Sequence, residues 1–327
     1  MTGTGEFARL ARLTPFLAAD GEGVPVGAGD DAAVVRIGDV DVVVCIDTVV
    51  EGVHFRRDVS GTADVGWKAM AVNVSDVAAM GAVPRAAVVG LNRTRDLSED
   101  DIDGLYAGLA EAGRRWGVPV VGGDTTTGHE WMVAVTVLGQ LDGHAPVRRS
   151  GARVGDVVVL AGRIGAAAAA VQAMGQGTEP DARHLAAHRR PQALPVTGQA
   201  LARAGVTAMI DLSDGLGADA GHLARASDVS LRLDGTAVRS VVAPGVRERV
   251  GPGWLDLAVG GGEDFALLAT VSRDRAEAAL AAVRQAGETT AAVIGTVTAQ
   301  GRDGQPAVWL ADGAEQRRVD DLGYDHG

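Results

Sequence analysis

The chain has 327 residues, enough for two domains, and is 46% hydrophobic but only 3% aromatic, so its core must come mainly from Ala, Val and Leu. A formal charge of −12, from 42 acidic and 30 basic residues, argues against a nucleic-acid surface, which needs a basic stripe. One cysteine, Cys45, excludes an intramolecular disulfide, and 46 glycines without a fixed period exclude collagen-like and linker sequences.

Apolar residues at helical spacing over 7–17 predict an amphipathic N-terminal helix. That end lacks a basic stretch followed by an apolar run, and no apolar run approaches the length of a membrane span, so a soluble cytoplasmic protein is expected. Strands are predicted over 32–36 and 41–46, the second holding Cys45 as a buried thiol. A helix opens at Thr62-Ala63-Asp64 and stops at Gly81, with Asp76 near its end. A strand over 84–91 precedes a helix that Ser98-Glu99-Asp100-Asp101 caps and that runs to Trp116. A buried strand over 118–122 and another over 131–138 complete this half. Composition changes over 143–155, where Pro146 and three arginines interrupt the apolar pattern, which places a boundary between domains 1–142 and 143–327. The second half alternates helices over 164–174, 194–204, 216–226 and 273–286 with strands over 156–161, 207–210, 230–233, 265–271, 292–297 and 307–311. The expected class is α/β (α+β), with mixed sheets flanked by helices.

Acidic residues recur beside glycine and at strand ends. They are Gly29-Asp30-Asp31, Asp47, Asp76, Gly122-Gly123-Asp124-Thr125, Asp211-Leu212-Ser213-Asp214-Gly215 and Gly261-Gly262-Glu263-Asp264. Strands deliver such residues to one sheet edge, where mutual repulsion calls for cations, and carboxylate oxygens suit magnesium better than zinc. Adjacent Asp30 and Asp31 point apart on an extended chain, so one can ligate metal while the other binds a second ion or caps a turn. At Asp124 the double glycine admits phosphate to the backbone while the acid holds magnesium; a plain hairpin loop is the alternative. Ser213 and Asp214 can also cap the next helix, whose N-terminus favours phosphate. His54 taken alone is more often structural or exposed. No Gly-x-x-x-x-Gly-Lys-[Ser/Thr] loop is present, so bound ATP would be held through metal and carboxylates, with Arg148 and Arg149 adding direct charge.

At these residues the chain resembles the thiamine-monophosphate kinase family, in the superfamily that includes aminoimidazole ribonucleotide synthetase. The likeness runs from Gly5-Glu6-Phe7 through Gly29 to Ala32, Asp47-Thr48, His54-Phe55, Ala71 to Ala82, Gly122 to Thr126, Arg149 to Ala152, Ile210 to Leu216 and Gly261 to Phe265, and ends in Gly323-Tyr324-Asp325-His326. It implies the two-domain fold of that superfamily, ATP-dependent phosphorylation of thiamine phosphate to thiamine diphosphate, several Mg2+ ions, and a homodimer joined through the N-terminal domains. By position, Asp30, Asp47, Asp76, Asp124, Asp211 and Asp214 correspond to metal ligands, with Asp124 and Asp211 also catalytic. Tyr106, Gly123, Arg149 and Ser213 correspond to ATP contacts. His54, Glu263 and Tyr324 correspond to contacts with the thiamine side. Cys45-Ile46 replaces a usual pair of hydroxyl residues, Gly327 replaces a terminal aromatic, and Tyr324 stands where tryptophan is often found.

The implied chemistry is in-line phosphoryl transfer, with an anionic phosphate oxygen of thiamine phosphate as nucleophile. Rival readings are another ATP-dependent enzyme of the superfamily, or a degenerate sensor of thiamine phosphate or nucleotide. A selenophosphate synthetase would need a reactive cysteine near the N-terminus, and a hydrogenase-maturation relative one at the C-terminus; neither is in the chain.

Overall fold

Valines that alternate with smaller or polar residues build the N-terminal sheet. Its strands are β1 (Ala33–Ile37), β2 (Val40–Val50), β3 (Val83–Arg93), β4 (Val120–Thr127) and β5 (Met132–Gln140), paired in the order β1-β2-β5-β3-β4. These come from a computed structural model that describes residues 12–17, 19–288, 290–301 and 304–324. Val133, Val135 and Val137 of the central β5 are fully buried, and each contributes about 1.5–3 kcal/mol. Only β3 and β4 are parallel in this sheet. Helices α1 (Thr62–Ala79) and α2 (Glu99–Trp116) cover one face. The opposite face is open, with Ile46 64% exposed and Val88 and Leu138 each 39% exposed.

The second sheet contains β6 (Val157–Ala161), β7 (Ala208–Asp211), β8 (Ser230–Asp234), β9 (Leu267–Val271), β10 (Ala291–Thr298), β11 (Val308–Asp312) and β12 (Glu315–Arg318). Their order is β12-β11-β8-β10-β6-β9-β7, antiparallel except for β11 with β8. Its longer helices are α3 (Ala166–Gly175), α4 (Ala182–Arg189), α5 (Pro195–Ala204), α6 (Leu216–Ser227) and, after the short α7 (Gly235–Val241), α8 (Val246–Val250) and α9 (Trp254–Gly260), α10 (Ala276–Gln285). Helix α1 belongs to the first half by sequence but also packs on α5 and β7 of the second.

The structure departs from the sequence expectations in four places. Residues 7–11 of the expected N-terminal helix lie outside the described residues; Arg12 and Leu13 are helical, and the chain then tightens into a 3-10 turn at Thr14–Phe16, with Phe16 84% exposed instead of packed on a core. β2 does not stop at Ile46: Asp47 and Thr48 keep pairing with Val135 and Ala134, so Asp47 sits inside the strand. The strand expected to be buried over 118–122 is an exposed edge strand over Val120–Thr127, and Asp124 lies within it because residues 122–127 keep pairing with β3. Helices α4, α7, α8 and α9 and strand β12 were not expected; at four to eight residues they are too short to show a clear period.

Candidate active site

A cavity of about 1080 Å³ opens between β1, β2 and α1 on one side and β7, α6, α9 and the 260–265 loop on the other. Asp30, Asp31, Asp47, Asp76, Asp211 and Asp214 line it, drawn from both halves of the chain. Local structure places each one. Asp211 is the last residue of β7, and Ser75 Oγ of α1 donates to its Oδ2 at 2.5 Å. Asp76 follows Ser75 in the last turn of α1. The backbone N–H of Asp47 donates to Asn73 Oδ1 at 2.8 Å, which ties β2 to the same helix.

Asp30 and Asp31 diverge as extended neighbours should. Asp30 accepts from the backbone N–H of Arg149 at 2.6 Å and from Arg148 Nε at 2.9 Å. Asp31 Oδ1 accepts from Arg149 Nη2 at 2.6 Å and Nε at 3.0 Å, while its buried Oδ2 has no hydrogen-bond partner. The two arginines near the domain boundary are therefore counter-ions of Asp30 and Asp31.

Asp31, Asp76 and Asp211 each bring one carboxylate oxygen within 4.8 Å of the other two. Burial, then the charges of Asp47 and Asp211, push the Asp76 carboxyl far above the usual range. Burial and Asp31 push Asp211 up to about 8. Burial also raises Asp31, against the pull of Arg149. A cation bound among such carboxyls would relieve both the burial cost and the mutual repulsion that raise them. An all-oxygen donor set with one orphaned, buried oxygen fits a hard divalent cation such as magnesium.

Asp214, Asp219 and His222 form a second group within 4.8 Å. Asp219 Oδ2 accepts from the N–H groups of Asp214 and Gly215 at 3.1 and 3.0 Å, which fixes the turn into α6. Burial and the nearby Asp214 and Asp211 raise Asp219 well above its ordinary value, and burial with Arg225 and Arg149 lowers His222 to about 3.

The third group surrounds Glu263. Its N–H donates to Ser213 O at 2.7 Å and that of Phe265 to Leu212 O at 2.8 Å, so the 260–265 loop is strapped to the Asp211–Asp214 segment. A Cβ at Gly262 would lie 2.5 Å from Ser213 O, so only glycine permits this approach. Glu263 and Phe265 have φ of 66° and 49°, left-handed values that cost energy in non-glycine residues. Glu263 Oε1 accepts from Lys68 Nζ at 2.7 Å and Oε2 from His188 Nδ1 at 2.7 Å. Burial works against the charge of Glu263, but Lys68 and His188 outweigh it and hold the carboxyl down at about 2.

His54, Ser213 and Tyr324 also line the cavity, as does Arg149. His54 Nδ1 accepts from Val50 N–H at 3.1 Å, so the neutral ring carries its proton on Nε2. Tyr324 is 53% exposed at the mouth, and its N–H donates to Asp214 O at 3.0 Å. Asp325 and His326 lie outside the described residues. Cys45 points inward, 7% exposed, with Sγ donating to Asn73 O at 3.3 Å; burial pushes its thiol up. Ile46 points to the open face.

Tyr106, Gly123 and Asp124 do not line this cavity. Tyr106 lies on α2, partly buried against the N-terminal core. Gly123 packs so tightly on β3 that a Cβ would stand 1.9 Å from Val89 O. Asp124 shares a row with Gly90, Ala134 and Thr48, alternating with the row of Gly123, Val89, Val135 and Asp47. Three strand spacings, about 14 Å, separate it from Thr48 at the cavity rim. Lys68, His188, Asp219 and His222 were not anticipated. Lys68 has a faint signal, a lone cation in the apolar run Trp67–Val72; His188 has none, because its partner is 75 residues away in sequence.

Family models described as AIR synthase related protein, N-terminal domain and C-terminal domain, match residues 29–141 and 153–305. A Mycobacterium tuberculosis protein named thiamine-monophosphate kinase is 40% identical over 268 residues, covering 81% of this chain and 80% of that protein. The chain belongs to the thiamine-monophosphate kinase family. A family member from Bacillus subtilis is 35% identical, covering 78% of this chain and 80% of its own length. The solved structure described as AaThiL complexed with AMPPCP and TMP matches with a TM-score of 0.84 at 28% identity, covering 100% of this chain and 98% of that one. The two-domain α/β architecture expected from the resemblance to the thiamine-monophosphate kinase family is the one observed.

Proposed function

We propose that this chain transfers the γ-phosphoryl group of ATP to thiamine phosphate, forming thiamine diphosphate and ADP. The observation that carries this reading is the meeting of Asp31, Asp76 and Asp211 in one cavity, beside a fixed Glu263, in a chain that aligns over its full length with a relative holding an ATP analogue and TMP. Asp30, Asp31, Asp47, Asp76, Asp211 and Asp214 would hold magnesium, which when bound neutralises the phosphates and stabilises the charge of the transferring group. The acceptor phosphate is anionic near neutral pH, so the chain needs no general base. Its residues have to position two polyanions: Arg149 supplies positive charge, Ser213 sits at the turn before α6, and His54, Glu263 and Tyr324 meet the organic part of the acceptor.

Tyr106, Gly123 and Asp124 keep their proposed ATP-side and metal roles in a homodimer joined through the N-terminal sheet. The open face and the exposed β4 edge support that arrangement, since they would carry Asp124 of one chain toward the cavity of another. Residues 1–142 would then form the dimerising, nucleotide-binding domain and 143–327 would complete the site. No helix among the described residues is long and apolar enough to cross a membrane, and we place the reaction in the cytoplasm.

A coupled assay of ADP release tests the reading, with thiamine phosphate, thiamine and an aminoimidazole precursor as rival acceptors. Turnover with thiamine phosphate alone, yielding thiamine diphosphate, is the expected result. Turnover only with another acceptor, or with none, overturns it.

A further inference from the structure

Lys68, Glu263 and His188 come from three separate elements, α1, the 260–265 loop and α4, yet make one closed group at the cavity wall. The Lys68 side chain is 2% exposed and that of His188 10%, while Glu263 keeps 25% of its side chain open. Each carboxylate oxygen of Glu263 accepts from a different donor, and Lys68 Nζ also donates to the backbone O of His54 at 2.9 Å. The left-handed backbone at Glu263 and its bond to Ser213 O remove the remaining freedom. A carboxylate restrained at both oxygens and at its own backbone has one orientation. Paired with Lys68 it presents a directional hydrogen-bond acceptor rather than a bare negative charge.

From this geometry we infer that Lys68 and His188 are positioning residues for the acceptor substrate, acting through Glu263 to hold an oriented acceptor against its organic part. The inference rests on the proposed reading of Glu263 as a thiamine-side contact. Neither residue needs to touch substrate. Their effect falls on recognition of thiamine phosphate and not on ATP, because the carboxylate cluster of Asp31, Asp76 and Asp211 is held by other partners, Ser75 and Arg149.

The experiment measures KM for each substrate and kcat in His188→Ala, His188→Gln and Lys68→Met, with thermal unfolding as the check on folding. His188→Ala is expected to raise KM for thiamine phosphate about tenfold, the usual scale for one hydrogen bond to a charged group. KM for ATP should change less than about twofold, a ratio too small to register as a lost contact. Gln, which keeps a donor near Oε2, should restore most of the loss; a purely structural histidine would show no such rescue. Lys68→Met is expected to move KM for thiamine phosphate in the same direction. If that variant does not fold, the His188 pair decides alone. A folded His188→Ala with both KM values unchanged, with both raised together, or with only kcat lowered overturns the inference. An unmodified chain that does not phosphorylate thiamine phosphate instead overturns the reading beneath it, and the inference with it.

Discussion

Asp211 is held in place by Ser75 and crowded by Asp31 and Asp76, and burial with the charge of Asp31 pushes its carboxyl up to about 8 from its ordinary 3.8. A carboxyl raised in the folded state gives stability that is complete below the unfolded value and is lost as pH climbs to the folded one, because the unfolded chain releases its proton first. In the presence of a chelator, the melting temperature should therefore fall as pH rises from about 4 to about 8. Saturating magnesium should flatten that fall, because the cation replaces the proton. A melting temperature with the same pH dependence with and without magnesium contradicts a metal at this cluster. Asp211→Asn removes the charge but not the shape. It should lower turnover about 100-fold or more and leave the chelator-treated melting temperature no lower than that of the unmodified chain. The acids were legible because aspartate beside glycine after a valine-rich strand is a local pattern. Lys68 and His188 were not, because each acquires its role from Glu263, 195 and 75 residues away.

Loops and strands were read unevenly. α2 announces itself through Ser98 and Asp101, which form the expected capping box, and it ends on a left-handed Gly117. β4 misleads because Gly122-Gly123-Asp124-Thr125 has the composition of a turn, while its pairing partner β3 lies some 30 residues earlier and overrides that local preference. The 260–265 loop shows in sequence only glycines beside two acids, and in the fold it is pinned at Glu263 and Phe265. Gly262→Ala is the test of that pinning. Its Cβ would meet Ser213 O at 2.5 Å, and such overpacking costs about 1–3 kcal/mol. A lower melting temperature and a raised KM for thiamine phosphate are expected together. An alanine variant identical to the parent in both would mean the loop yields freely.

At the scale of the whole molecule, the proposed homodimer predicts that Asp124 of one chain serves the cavity of the other. Asp124→Asn and Asp211→Asn should each be nearly inactive alone. Co-expressed, they should recover up to about a quarter of normal activity, since half of randomly paired dimers are mixed and one of the two sites in each mixed dimer is intact. Light scattering after chromatography should report the dimer mass. No recovery in a confirmed mixed dimer would place Asp124 in its own chain's chemistry or outside the reaction. The two-sheet architecture was legible because each half repeats helix and strand around an apolar core, whereas the open face of the first sheet left no local sign of what it meets. Helix α1 reaches from the first half onto the second. Trp67 Nε1 donates to Pro191 O at 2.8 Å, Lys68 reaches Glu263, and Ser75 reaches Asp211. A clamshell motion of one half against the other would have to break all three of these latches, two of them at residues that line the cavity. The halves therefore meet as one anvil at this helix, and a hinge between them would cost a buried indole bond, an ion pair and a carboxylate bond at once.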